Sequence, residues 1–379
     1  MKRFIATTCL LFVLLPDPTS AHEFLVYFGT YTGAKSKGIY VSRFISATGQ
    51  LTAPQLAVET ENPSFLALHP DGRSLYAVGE TSTVDDARQG GVTAFAIEPT
   101  GKLTALNTHP SGGSGPCHLA LDAKGRFVFT ANYGSGSIAA LPILADGSLA
   151  GPVATMQHVG SSVNPQRQSG PHAHCVNLAP DDHFALGCDL GLDKLMVYRV
   201  GENQRVLTEN DPPFCTLGPG TGPRHLAFGR SGKFVYVINE MGCSVTVLTY
   251  DAKHGTLYET QTTSTLPENW KGNSAGAEIA MHPSGKFLYA SNRGHDSIAV
   301  FLVNRKSGAL SLVEHEPTQG KTPRHFALDP TGGWLLAENQ ASDSVVVFRV
   351  NARTGALNAT ERSVEVPSPV CAVFLPVRR

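Results

Sequence analysis

The sequence predicts an all-β chain folded as a seven-bladed β-propeller of four-stranded antiparallel blades, its ring closed by pairing of the C-terminal strand with the N-terminal blade. Three observations predict it. One segment recurs: Pro223-Arg224-His225-Leu226-Ala227-Phe228 matches Pro323-Arg324-His325-Phe326-Ala327-Leu328 and Pro116-Cys117-His118-Leu119-Ala120-Leu121, with looser copies at Pro63, Pro171 and Gly276. The starts 63, 116, 171, 223, 276 and 323 lie 53, 55, 52, 53 and 47 residues apart. A period of this size, with several short strands per unit, belongs to propellers rather than to helical solenoids. The second observation is the content of each repeat, four short β runs; the third is that the two ends of the chain hold complementary parts of one repeat.

Taken in chain order, the first element stands apart from the repeats. Lys2 and Arg3 precede an apolar run from Phe4 to Leu15, which Pro16 and Pro18 break, and Thr19-Ser20-Ala21 offers small residues to a signal peptidase. A run of about 12 residues is too short to anchor in a bilayer. Residues 1–21 are therefore expected to be a secretory signal, cleaved near Ala21. Residues 22–379 are expected to form a single propeller domain, periplasmic or secreted, with no membrane attachment after cleavage. Residues 24–60 carry the later strands of a blade and lack its first.

Residues 223–266 show how one full repeat folds. Leu226 to Phe228 is a short apolar run, and Arg230-Ser231-Gly232-Lys233 turns the chain. Phe234-Val235-Tyr236-Val237-Ile238 is β-branched and aromatic and too short for a helix. Asn239-Glu240-Met241-Gly242 breaks it, Ser244 to Tyr250 forms a third run, and His254-Gly255-Thr256-Leu257 turns into a fourth. Equivalent Gly-containing corners recur at Gly72, Gly125, Gly285 and Gly332, and at Gly49, Gly101, Gly147, Gly308 and Gly355. The fourth blade departs, with Glu202-Asn203-Gln204 in place of the last corner. The tail Pro369-Val370-Cys371-Ala372-Val373-Phe374 reads as the inner strand missing from residues 24–60, so pairing the two ends removes both exposed edges.

Composition excludes several classes. Hydrophobic residues make up 41% and charged residues 16%, which fits a large buried core rather than disorder. The net charge is −1, and no Lys/Arg run lies beyond the N-terminus, so nucleic acid is not an expected partner. Six cysteines follow the signal; they read as small buried hydrophobes, with Cys175 and Cys188 the pair placed to bridge a hairpin.

Candidate chemistry comes from aligning the repeats. First strands of propeller blades line the channel, and the start of a first strand shares a face with the end of the second. The position after each repeat start holds Ser64, Cys117, His174, Arg224, Ala277, Arg324 and Val370; the next holds Phe65, His118, Cys175, His225, Glu278, His325 and Cys371. The second-strand ends hold Glu80, Tyr133, Asp189 or Leu190, Glu240, Arg293 and Gln340, often preceded by Asn, as at Asn292. This polar ring, rich in arginine, suits an anionic, oxygen-rich small molecule, because guanidinium forks match carboxylate and phosphate. Glu240 is expected to serve as general base on water and His174 as acid or oxyanion donor. Asn before a turn is also ordinary turn chemistry, and the repeated histidines suit hydrogen bonds between blades. The spacing of His172, His174 and Glu278 does not compel a metal site, and neither metal nor cofactor is expected.

At these residues the chain resembles the lactonase family of seven-bladed propellers, which includes propeller-type 6-phosphogluconolactonases and carboxy-cis,cis-muconate lactonizing enzymes. The resemblance is carried by Phe28-Gly29-Thr30-Tyr31, Asn62-Pro63-Ser64, Pro171-His172-Ala173-His174, Gly222-Pro223-Arg224-His225, Asn239-Glu240 and Ser291-Asn292-Arg293. It implies a metal-free lactone hydrolase with His174, Arg224, Glu240 and Arg293 as catalytic residues. Arg324, His172, Tyr133, Asn292 and His118 are expected to bind an anionic lactone or sugar acid, and the protein to act as a monomer. A carboxy-muconate cycloisomerase and a non-catalytic secreted binding propeller are the alternatives. Export favours an unphosphorylated sugar lactone or another acid lactone over a phosphorylated one made in the cytoplasm.

Overall fold

A computed structural model of the chain describes residues 22–81, 90–201 and 206–377. The expected signal sequence, residues 1–21, and the departing turn at Glu202 lie outside the described residues. Seven antiparallel sheets follow one another around a ring, numbered here as blades one to seven in chain order. Blades two to seven are four-stranded, and blade one, made by both ends of the chain, has a fifth short strand. Pro369–Pro376 pairs with Glu23–Thr30, with Phe24 opposite Pro376 and Phe28 opposite Ala372, so the expected closure is present.

The apolar runs are continuous because the inner strands bury both faces. Side chains alternate along a strand. In Phe234–Asn239 of blade five, Val235 and Val237 pack with Cys175, Leu186 and Leu195 of blade four. Phe234, Tyr236 and Ile238 pack with Leu288, Ala290 and Phe301 of blade six. Every neighbouring pair of blades shares such a cluster, which gives seven interfaces in all. The interface between blades seven and one joins Trp334 and Val347 to Phe24, Phe44 and Ala372. Fourth strands such as Thr256–Ser264 face solvent and show polar alternation.

The six described cysteines are free thiols. Cys175 lies directly opposite Cys188 in the ladder, as their places in the hairpin suggest, and both are fully buried.

Candidate active site

The residues that meet at one channel mouth are put there by a repeated backbone irregularity. Inner strands open on Pro116, Pro223, Pro323 and Pro369, where a missing N–H costs no ladder bond. The ladder then shifts register: Pro223 faces Asn239, yet His225 faces Ile238, so Arg224 is an extra, unpaired residue. Equivalent shifts leave out His174, Arg324, Cys117 and Val370. A bulge bends the strand and re-aims the side chain. Strict alternation would send Arg224 and His225 to opposite faces; with the bulge both line the channel, as do Arg324 and His325.

Glu240 follows directly on the second strand of blade five and is the centre of the mouth. Its Oε2 lies 2.8 Å from Arg293 and 3.2 Å from Arg224 Nε. Its Oε1 accepts a hydrogen bond of 2.7 Å from Arg167. Burial pushes the carboxyl upward, but Arg293, Arg224 and Arg167 together outweigh it and hold it at about 2. Arg224 also donates to the Ala277 carbonyl at 2.7 Å, and Arg293 to that of Gly276 at 3.1 Å. Both arginines still have a buried Nε without a hydrogen-bond partner, the Arg224–Glu240 contact lying outside hydrogen-bond geometry. Desolvation, reinforced by Arg324 and Arg293, lowers Arg224 to about 10, so it remains a cation.

Arg324 completes the ring from blade seven. It donates to Tyr31 Oη at 2.9 Å and lies over that ring; Tyr31 donates to Glu80 at 2.8 Å. Four guanidiniums, Arg167, Arg224, Arg293 and Arg324, thus face two carboxylates, Glu80 and Glu240, and the surplus positive charge suits an anionic ligand.

His174 is edge-on to both Tyr133 and His225, with centroids 5.5 and 5.2 Å away. Desolvation, then Arg224, keeps it neutral far below the usual range for imidazole. It is therefore suited to donating an N–H to an oxyanion rather than to supplying a proton from an imidazolium. His172 stacks on Tyr133 at 4.4 Å, and its backbone N–H donates to Asp189. Below this layer the channel is filled. Phe65 lies tilted against His118 with ring centroids 4.2 Å apart, and His225 pairs with Glu278 at 2.9 Å. His325 pairs with Glu338 at 2.7 Å.

The structure brings His174, Arg224, Glu240, Arg293, Arg324, Tyr133 and His172 to one mouth. Two expected binding residues are elsewhere. Asn292 is fully buried and its amide ties blade six to the end of blade five, accepting from Thr265 Oγ1 at 2.6 Å and donating to the Thr265 carbonyl at 2.8 Å. It clamps a strand end and offers nothing to a ligand, a correction to the expectation. His118 lies one layer deeper, where its Nδ1 accepts from the Val176 N–H of the next blade; it too is an inter-blade contact rather than a mouth residue. Arg167 and Tyr31 were missed. Tyr31 lies in the Phe28–Tyr31 segment, whereas Arg167 belongs to a loop that no repeat predicts. Among the described residues no group of three His, Cys, Asp or Glu is arranged to hold a metal.

The seven-bladed ring agrees with what the sequence matches. A family model described as lactonase, 7-bladed β-propeller, spans residues 25–374. The chain belongs to the lactonase family. It is 39% identical over 354 residues to a protein of Bacillus subtilis named 6-phosphogluconolactonase, covering 93% of this chain and 99% of the relative. It is 33% identical over 311 residues to a protein of the same name from Formosa agariphila, covering 80% and 85%. Among solved structures, the periplasmic gluconolactonase PpgL of Pseudomonas aeruginosa superposes with a TM-score of 0.89 at 36% identity, covering 94% of this lactonase and all of PpgL.

Proposed function

We propose that this lactonase hydrolyses the lactone of a sugar acid at the mouth built around Glu240, in the manner of the 6-phosphogluconolactonases it resembles. The observation that carries the proposal is a buried carboxylate contacted by three guanidiniums, two of which keep a buried Nε with no hydrogen-bond partner. The lactone carbonyl takes donors from Arg224 and Arg293. Glu240 Oε1 accepts a proton from water as the water oxygen attacks the carbonyl carbon. The arginines and the His174 N–H stabilise the oxyanion. Collapse breaks the ring C–O bond, and the proton held on Glu240 passes to the leaving oxygen.

The test is acid release above the spontaneous rate from glucono-lactone and 6-phosphogluconolactone, with wild type and Glu240→Gln. The variant is expected to lose about 10²–10⁴ in kcat. Full activity would remove Glu240 from the mechanism, and binding of both compounds without turnover by wild type would leave a binding propeller.

We further place the protein in the periplasm. Support comes from the apolar run between Lys2 and Pro16 and from the likeness to the periplasmic PpgL. Cell fractionation with N-terminal sequencing is expected to give an extracytoplasmic protein beginning at His22; an intact Met1 in the cytoplasm would refute this.

A further inference from the structure

Arg167 differs from the other cations of the mouth. Arg224, Arg293 and Arg324 come from strand ends, and the first two are 3% and 17% exposed in their side chains. Arg167 comes from the loop between Ala154–Gln157 and Ala173–Leu178, and its side chain is 45% exposed. The loop backbone is nonetheless fixed. Gln168 is fully buried, donates to the Leu190 carbonyl at 2.9 Å and accepts from Asn164 N–H at 3.0 Å. Asn164 Oδ1 accepts the Arg167 N–H at 3.1 Å, and Ser162 donates to Asp193 at 2.6 Å. A fixed root with a long, half-exposed side chain is an arm whose tip has room to swing.

In this structure the arm rests on Glu240 Oε1 at 2.7 Å, the oxygen that Arg224 and Arg293 leave open, and reaches Tyr133 Oη at 3.3 Å. There it occupies one of the two lone pairs of the oxygen that would take the proton from water. Only the arginine end of the pair is open to solvent, 45% against 8% for Glu240, and Glu240 keeps Arg224 and Arg293 as partners when the arm leaves. We propose that Arg167 is a substrate-sensing arm: an anionic substituent on the lactone, phosphate or carboxylate, draws the guanidinium off Glu240, so that the substrate's own charge unmasks the base. This rests on the lactonase reading above and makes Arg167 the residue that selects anionic over neutral lactones. The released arm balances the substituent's charge, while Arg224 and Arg293 stay with the reacting carbonyl. Differential binding of this kind favours the substrate whose remote group displaces the arm.

The test compares wild type, Arg167→Gln and Arg167→Lys on 6-phosphogluconolactone, a carboxylate-bearing sugar lactone and glucono-lactone. Wild type is expected to favour at least one charged lactone in kcat/KM, and which one identifies the anion. In Arg167→Gln that preference falls at least tenfold, and Arg167→Lys recovers part of it. A preference that moves less than threefold overturns the proposal, as does a wild type indifferent to charge. Calorimetry with gluconate, 6-phosphogluconate and the dicarboxylate product provides a second readout without turnover. If no lactone is hydrolysed, the lactonase reading fails, while tighter binding of the acid with the extra anion, lost in Arg167→Gln, still supports the arm. Equal binding by wild type and variant overturns it.

Discussion

Glu240 keeps its charge although it is buried, because three guanidiniums outweigh the cost of desolvation. The histidines beneath it follow the opposite rule. Burial is the first cause in His118, His174 and His225; the first two lie well below 6.5 and the third at about 4. All three bind a proton in the unfolded chain near 6.5 but stay neutral when folded. Between those values the unfolded state holds more protons, so stability falls as pH falls. His325, whose pKa is raised against the pull of burial by Glu278 and Glu338, is protonated in both states near pH 5 and adds no slope there. Three such groups give about 4 kcal/mol per pH unit near pH 5. Glu240 and Glu278, held at about 2, extend the loss below pH 4.5. Urea unfolding at pH 5.0, 5.5 and 6.5 is expected to show this steep decline, and a flat profile would mean that the histidines are charged in the fold. Glu240→Gln leaves Arg224 and Arg293 without their anion, so a stability loss on the order of 3 kcal/mol is expected beside its loss of rate.

Adjacent blades are joined by a polar lock as well as by apolar clusters. Tyr236 of blade five donates to the Gly308 carbonyl of blade six at 3.0 Å, and Tyr289 of blade six to that of Gly355 in blade seven at 2.7 Å. Tyr76 of blade two reaches Gly147 of blade three at 2.9 Å. The glycine is required at Gly308, where φ is 77° and an added Cβ would stand 2.4 Å from the Phe234 ring. Gly308→Ala is expected to cost about 1–3 kcal/mol through backbone strain and overpacking. Tyr236→Phe is expected to cost about 1 kcal/mol for the lost hydrogen bond. Both should leave KM unchanged, because the corner lies away from the mouth. Chemical denaturation alongside steady-state kinetics checks them; a change in KM without a change in stability would contradict the lock. The Gly-containing corners were legible from the repeat, but their tyrosine partners, some 70 residues earlier in the chain, were not.

Closure makes the ring a cooperative object. The tail strand Pro369–Pro376 gives Cys371 to the cluster shared with blade two and Ala372 to that shared with blade seven. Its removal opens two interfaces and exposes Glu23–Thr30 as a bare edge. Truncation after Glu365 is expected to yield aggregated protein without a cooperative unfolding transition, read by size exclusion and circular dichroism. A soluble monomer with an unchanged midpoint would show that the closure is dispensable.

The sequence by itself determined the ring, its closure and most of the mouth, since these depend on periodic, local features: apolar runs of strand length, Gly corners, and Pro at strand starts. His174, Arg224, Glu240, Arg293 and Arg324 were legible because repeats that share a fold place equivalent positions at equivalent heights. The tertiary structure alone decided which side chains face the channel mouth. Asn292, next to Arg293 in sequence, is turned into the blade by Thr265, and His118 sits a layer too deep. Arg167 joins the mouth from a loop whose path depends on a buried Gln168 and on Asp193 of blade four. Repeats fix strands, because the same hydrophobic pattern must be buried each time; a loop owes its course to particular hydrogen bonds that the repeat does not encode.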